Sequence, residues 1–193
     1  MVELQISNLL VGVRFSHPAL DIIMLTEQQE KYARTLSDTQ TVHIKPFDAL
    51  ARDTAEELIT EIKNVLPDTK IIYLGSSALG IAGENDIDLG IISTSPTEDS
   101  KKLCEIFGPE LKYDEKRRMT RWEFARNDFK VELFLTDAVS SELQEQIETQ
   151  KLLMSRDDLR AEYEKIKQAA DGVSIREYTK RKMEFFNKIL NEK

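Results

Sequence analysis

The chain has 193 residues, 40 % of them hydrophobic and 32 % charged, enough for one substantial globular domain carrying a helical appendage. A formal net charge of -8 excludes a broad electrostatic grip on nucleic acid and leaves room only for a local basic groove. The single cysteine, Cys104, excludes an internal disulfide. No stretch reads as a leader or a membrane span, so a cytoplasmic protein without membrane partners is expected.

In chain order, Val2 to Ala19 is mixed and ambiguous, with a break at His17-Pro18. Thr26-Glu27-Gln28-Gln29 has the spacing of a capping box and opens a helix through Leu36. Val42-His43-Ile44 reads as a short strand before Pro46, and the whole first segment reads as packing material. From Asp48, Leu50, Ala51, Ala55, Leu58, Ile59, Ile62, Val65 and Leu66 recur at three- and four-residue steps, an amphipathic helix that Pro67 ends. Ile71 to Leu74 is a strand that breaks at Gly75-Ser76-Ser77. A helical turn within Ser76 to Ala82 can turn free N–H groups toward phosphate. Asp86 to Ile92 is the next strand, and Ser95 to Phe107 a helix stopped by Gly108-Pro109. Arg121 to Arg126 and Phe129 to Thr136 alternate around Asn127-Asp128 and predict a β-hairpin. The remainder is helical: Ala138 to Lys151, Ser155 to Ile166, and Ser174 to Leu190, the last with a second capping-box spacing.

The chemistry concentrates between Ile71 and Ile92. Strand side chains alternate, so Asp86 and Asp88 point to one face while Ile87 and Leu89 point to the other. Neighbouring carboxylates repel and lose hydration unless a cation lies between them. Magnesium takes oxygen ligands and completes its shell with substrate phosphates, so this pair beside a Gly-Ser turn points to a nucleotide site. Glu132 is the one acid in an apolar strand. Taken by itself, it reads as an exposed residue on a half-solvated sheet. Trp122 and Phe124 read as cross-strand packing before base stacking, and His17 and His43 lack ligand spacing. Cys104 reads as a buried small hydrophobe. Lys116, Arg117, Arg118, Arg121 and Arg126 form a basic island, read as a charged hairpin edge or as a contact for an anionic acceptor.

Leu74-Gly75-Ser76, nine intervening residues and Asp86-Ile87-Asp88 resemble the motif of the DNA polymerase β-like nucleotidyltransferase superfamily. Arg156-Asp157, Leu159, Tyr163, Lys167, and Tyr178 with Lys182 four residues later resemble its GrpB-like branch, as does Gly75-Ser76-Ser77-Ala78-Leu79. That branch commonly has a lysine-proline pair before its aspartate and keeps one aspartate. This chain has Glu84-Asn85 and both Asp86 and Asp88.

The resemblance implies an α/β (α+β) fold: a mixed β-sheet with flanking helices, followed by a C-terminal helical portion. It divides the chain into residues 1–43 of unknown role, a catalytic core over 44–137, and helices over 138–193 that close the nucleotide cleft. It implies transfer of a nucleoside monophosphate from a nucleoside triphosphate to the hydroxyl of an unidentified acceptor, with magnesium or manganese as the ion. Asp86, Asp88 and Glu132 would be catalytic and metal-binding. Gly75, Ser76 and Ser77 would hold phosphates, with Arg156 and Lys182 as candidates for the remaining triphosphate charge. The acceptor is first a small molecule. RNA or protein in a regulatory or toxin-antitoxin role is a second class, and a nucleotide-binding module without turnover a third.

Overall fold

The computed structural model describes residues 25–115, 118–137 and 141–191. The expectations for Val2 to Ala19, for Lys116 and Arg117, and for the start of the helix at Ala138 lie outside the described residues. The chain divides into two units: Lys45–Ser140, and the segments before and after it together.

The first of these units is built on a five-stranded sheet. Residues Leu50–Val65 form α2, Lys70–Leu74 β1, Gly75–Leu79 the short α3, Asp86–Ile92 β2 and Pro96–Phe107 α4; Lys112–Asp114, Met119–Arg126 and Phe129–Thr136 form β3, β4 and β5. The strand order is β1-β2-β5-β4-β3, with β2 and β5 parallel and every other pair antiparallel. The mixed sheet with flanking helices is the α/β architecture expected from the sequence. The β4–β5 hairpin turns at Asn127 and Asp128, whose φ angles of 51° and 65° are the left-handed values that a two-residue turn of matching twist requires.

Alternation along β2 and β5 sends Ile87, Leu89, Ile91, Val131, Leu133 and Leu135 to one face, where they pack with Ala55, Leu58 and Ile62 of α2, Leu103 of α4 and Trp122. Each fully buried Leu or Ile in that layer contributes about 1.5–3 kcal/mol of transfer free energy. Burial of this face against α2 and α4 fixes the register, because a one-residue slip would turn the aspartates into the core. Trp122 is buried and donates from Nε1 to the Gly108 carbonyl at 3.1 Å, and Phe124 stacks on Phe107 with centroids 5.0 Å apart. Trp122 is therefore a packing residue and offers no surface to a base. The edge strand β3 was not foreseen in the sequence.

The second unit holds α1 (Glu27–Thr35), α5 (Ser141–Ser155), α6 (Asp157–Gln168) and α7 (Ile175–Asn191). The capping box at Thr26 and Gln29 forms as read, with reciprocal bonds of 2.9 and 3.2 Å. Gln29 and Asn187 exchange two amide hydrogen bonds, and Arg176 reaches the Ala33 and Leu36 carbonyls, so α1 is stitched to α7. The segment Val42 to Ile44 forms no strand of its own. Thr41 makes an isolated bridge to Ser174, and Val42 N–H donates to the Val173 carbonyl, so its backbone is satisfied by the loop before α7.

Candidate active site

The parallel register places Asp88 beside Glu132 and Asp86 beside Lys130, while the antiparallel register places Glu132 beside Glu123. Paired positions share a face, so Asp86, Asp88, Lys130, Glu132 and Glu123 all lie opposite the apolar layer. The sequence placed Asp86 and Asp88 together. Only the strand pairing adds Glu132 to their row.

Gly75 ends β1 and begins α3 at φ +83°, a left-handed conformation that glycine adopts without steric cost. A Cβ at this position would lie 2.6 Å from Asp88 Oδ2, so the Asp88 carboxylate rests directly on the bare α-carbon of the turn. Ser76 and Ser77 follow, both buried. Beside them a shallow, narrow cleft runs past Phe47, Asp48, Ile81 and Asn85 to Asp86. Burial pushes the Tyr73 phenol above its ordinary value; the Ser77 hydroxyl and Arg52 pull it back, while Asp88 and Asp86 add to the rise.

Arg52 was not singled out in the sequence, where one arginine on an amphipathic helix reads as a solvated face. In the structure it stands 5.8 Å from the centroid of the cleft residue Phe47, and it makes no ion pair with any described residue. Among the described residues it is thus a cation near the Gly-Ser turn that no carboxylate pairs.

Glu132 is buried, which overturns its reading as an exposed strand glutamate. Its Oε2 pairs with Arg121 Nη2 at 2.9 Å, and its Oε1 accepts from Lys130 Nζ at 2.8 Å. Glu123 touches the same two cations, at 3.1 Å from Arg121 and 3.4 Å from Lys130. Desolvation pushes the Glu132 carboxyl above its ordinary value, against the pull of Arg121 and Lys130. Desolvation alone would lower Lys130, but Glu132 and Glu123 outweigh it and hold the ammonium above its ordinary value.

Among the described residues no three acid, histidine or cysteine side chains gather in a set that could hold a metal ion. Asp86 and Asp88 nevertheless fit a hard divalent cation in donor type and in sharing one strand face, with Asp88 held against Gly75. Glu132 shares the face, but two side-chain cations already balance it.

The basic island does not form a basic surface among the described residues. Arg118 pairs with Asp137, Arg121 with Glu132 and Glu123, and Arg126 with Glu61 through two bonds of 2.7 and 3.1 Å. Cys104 is half-buried, with its thiol 3.0 Å from Glu110 Oε2.

Arg156 and Lys182 belong to the helical unit. Arg156 grips Asp158 through Nε and Nη2 at 2.9 and 2.7 Å, and Lys182 Nζ stands 4.9 Å from the Tyr178 ring centroid. Buried Lys167 donates to Tyr178 Oη at 2.7 Å and lies 5.4 Å from the ring centroids of both Tyr163 and Tyr178. Four residues that carried the family resemblance, Tyr163, Lys167, Tyr178 and Lys182, thus form one cluster inside this unit.

A search of curated proteins finds no match. Among solved structures, conserved protein GrpB from Enterococcus faecalis is similar at a TM-score of 0.60 with 17 % identity, covering 76 % of this chain and 99 % of that one. Two structures of Cid1 poly(U) polymerase, one with MgGTP bound, align at TM-scores of 0.45 with 17 % and 14 % identity. They cover 72 % of this chain and 42 % and 44 % of theirs. A model of the family described as GrpB protein matches residues 41–192, which takes in the whole sheet, the Gly-Ser turn and the C-terminal helices. The chain belongs to the GrpB family.

Proposed function

We infer that this protein is a magnesium-dependent nucleotidyltransferase that moves a nucleoside monophosphate from a nucleoside triphosphate to an acceptor hydroxyl. The observation that carries the reading is the Asp88 carboxylate seated on the bare α-carbon of Gly75, with Asp86 on the same face at the rim of the Ser76-Ser77 cleft. That geometry joins a candidate metal ligand to a candidate phosphate-binding turn in one place.

Asp86 and Asp88 would hold the magnesium, which when bound neutralises phosphate charge and polarises the α-phosphorus. Gly75 lets the backbone approach the phosphates, and Ser76 and Ser77 supply hydroxyl and amide donors. Arg52 adds a cation at the cleft. The acceptor oxygen bonds to the α-phosphorus, the bond from that phosphorus to the bridging oxygen breaks, and pyrophosphate leaves. Glu132 is the candidate to receive the hydroxyl proton, since burial raises its proton affinity. Chemistry of this kind depends on positioning and charge neutralisation more than on covalent catalysis.

Thermal shift with ATP, GTP, CTP and UTP, each with and without magnesium, tests the reading. Magnesium-dependent stabilisation by at least one triphosphate is expected in the wild type, and its loss in Asp88→Asn with circular dichroism unchanged. Full stabilisation of Asp88→Asn would refute it. One observation favours a second reading, a nucleotide-binding module without turnover: Glu132 is already balanced by Arg121 and Lys130. Under it, nucleotide stabilisation persists in Glu132→Gln and no pyrophosphate is released by the wild type with any acceptor.

A further inference from the structure

On the sheet face that carries Asp86 and Asp88, the cations in the ion-pair network of Glu132 among the described residues are Arg121 and Lys130, and both are shared with Glu123. The two cations differ in access. The Arg121 side chain is 11 % exposed, while Lys130 and Glu123 are each 36 % exposed, so the network opens to solvent on the Lys130 side. Glu132 itself is 2 % exposed at its side chain, too deep to be a surface ion pair. A buried carboxylate does not stay charged in such a place without partners, and removing one partner of a buried pair is costly.

The four acids and two cations on this face leave two formal negative charges, which a divalent ion at Asp86 and Asp88 would cancel. Any use of Glu132 in the transfer then withdraws it from Arg121 and Lys130 and leaves two positive charges facing Glu123 alone. In a protein of net charge -8, that local positive excess has one natural partner. We propose that Arg121 and Lys130 form the seat for an anionic group on the acceptor, such as a phosphate monoester, and that the anion enters by replacing Glu132 in their ion pairs. Lys130, the half-exposed member, meets the anion first, and Arg121 contributes the planar donors suited to a tetrahedral oxyanion. Glu132 is thereby released toward the acceptor hydroxyl only when the acceptor is present.

This inference rests on the transferase reading for its meaning, but the exchange can be measured without turnover. The probe is inorganic sulfate, a tetrahedral dianion, titrated into protein at a fixed excess of magnesium chloride while the Arg121 side-chain Nε–Hε resonance is followed by NMR. Wild type is expected to bind weakly, because the anion must displace Glu132. Glu132→Gln is expected to bind at least about tenfold more tightly, and Lys130→Gln in that background to cancel the gain. Acetate run in parallel separates a tetrahedral dianion from a simple carboxylate, and the seat predicts preference for sulfate. Equal sulfate affinity in wild type and Glu132→Gln overturns the proposal, as does a gain that survives Lys130→Gln. Should Glu132→Gln not fold, Lys130→Gln alone decides: it must weaken sulfate binding at least about fivefold, and wild-type affinity there overturns the proposal. Absence of magnesium–nucleotide stabilisation in the wild type would fail the transferase reading and leave the sulfate result standing on its own.

Discussion

Substituting Gly75 by alanine puts a methyl group where the structure has none to spare. The new Cβ would lie 2.6 Å from Asp88 Oδ2, inside van der Waals contact, and φ is +83°, a value that L residues rarely adopt. Holding a non-glycine residue in the left-handed region costs about 1–3 kcal/mol. Forcing a buried neighbour aside costs about another 1–3 kcal/mol, since Asp88 is 5 % exposed and has little room to retreat. A total near 4 kcal/mol lowers the melting temperature by about 8–16 °C for a chain of this size. The two contributions can be separated by a double-mutant cycle with Asp88→Ala, measured by urea denaturation. With the carboxylate gone, Gly75→Ala should cost only its conformational share, leaving a coupling of about 1–3 kcal/mol between the positions. An equal cost in both backgrounds would refute the argument that Gly75 is there to admit Asp88. Gly75→Ala is also expected to abolish magnesium-dependent nucleotide stabilisation even where the protein stays folded.

Trp122→Phe is expected to destabilise by about 1–2 kcal/mol through loss of the bond to the Gly108 carbonyl and a small void, with nucleotide stabilisation unchanged. A specific loss of nucleotide response in that variant would restore Trp122 as a binding residue. Arg156 holds the Asp158 carboxyl down to about 2, from an ordinary value of 3.8. Its folded value is depressed, so the stabilisation it brings is present above 3.8 and disappears as pH falls through about 2. Arg156→Gln should return the NMR titration midpoint of Asp158 to the ordinary carboxylate range, and an unmoved midpoint would show that Arg156 is not its cause.

The local elements were legible because their signals are local. Thr26 and Gln29 cap α1 from three residues apart, Pro67 follows α2 closely, Asn127-Asp128 can take the left-handed turn, and alternation alone puts Asp86 and Asp88 on one face. Family resemblance added a role for Glu132 and marked Lys167 and Lys182, which periodicity alone does not distinguish from solvated residues. The short edge strand β3 and the absence of a strand at Val42 to Ile44 both escaped the sequence. Three residues of alternating character form a strand only if a partner edge is available to receive their hydrogen bonds.

What the sequence determined by itself is therefore which residues face together along one element, since that follows from the pitch of a helix or the pleat of a strand. Only the tertiary structure decided what lies across from them. Parallel pairing of β2 with β5 put Glu132 beside Asp88, the β4 register brought Arg121 and Glu123 to it, and packing of α6 and α7 closed Lys167 onto Tyr178. Each of those pairings joins distant parts of the chain or depends on burial. Burial is what turned Glu132 from a half-solvated strand acid into a carboxylate that must keep its cations or exchange them.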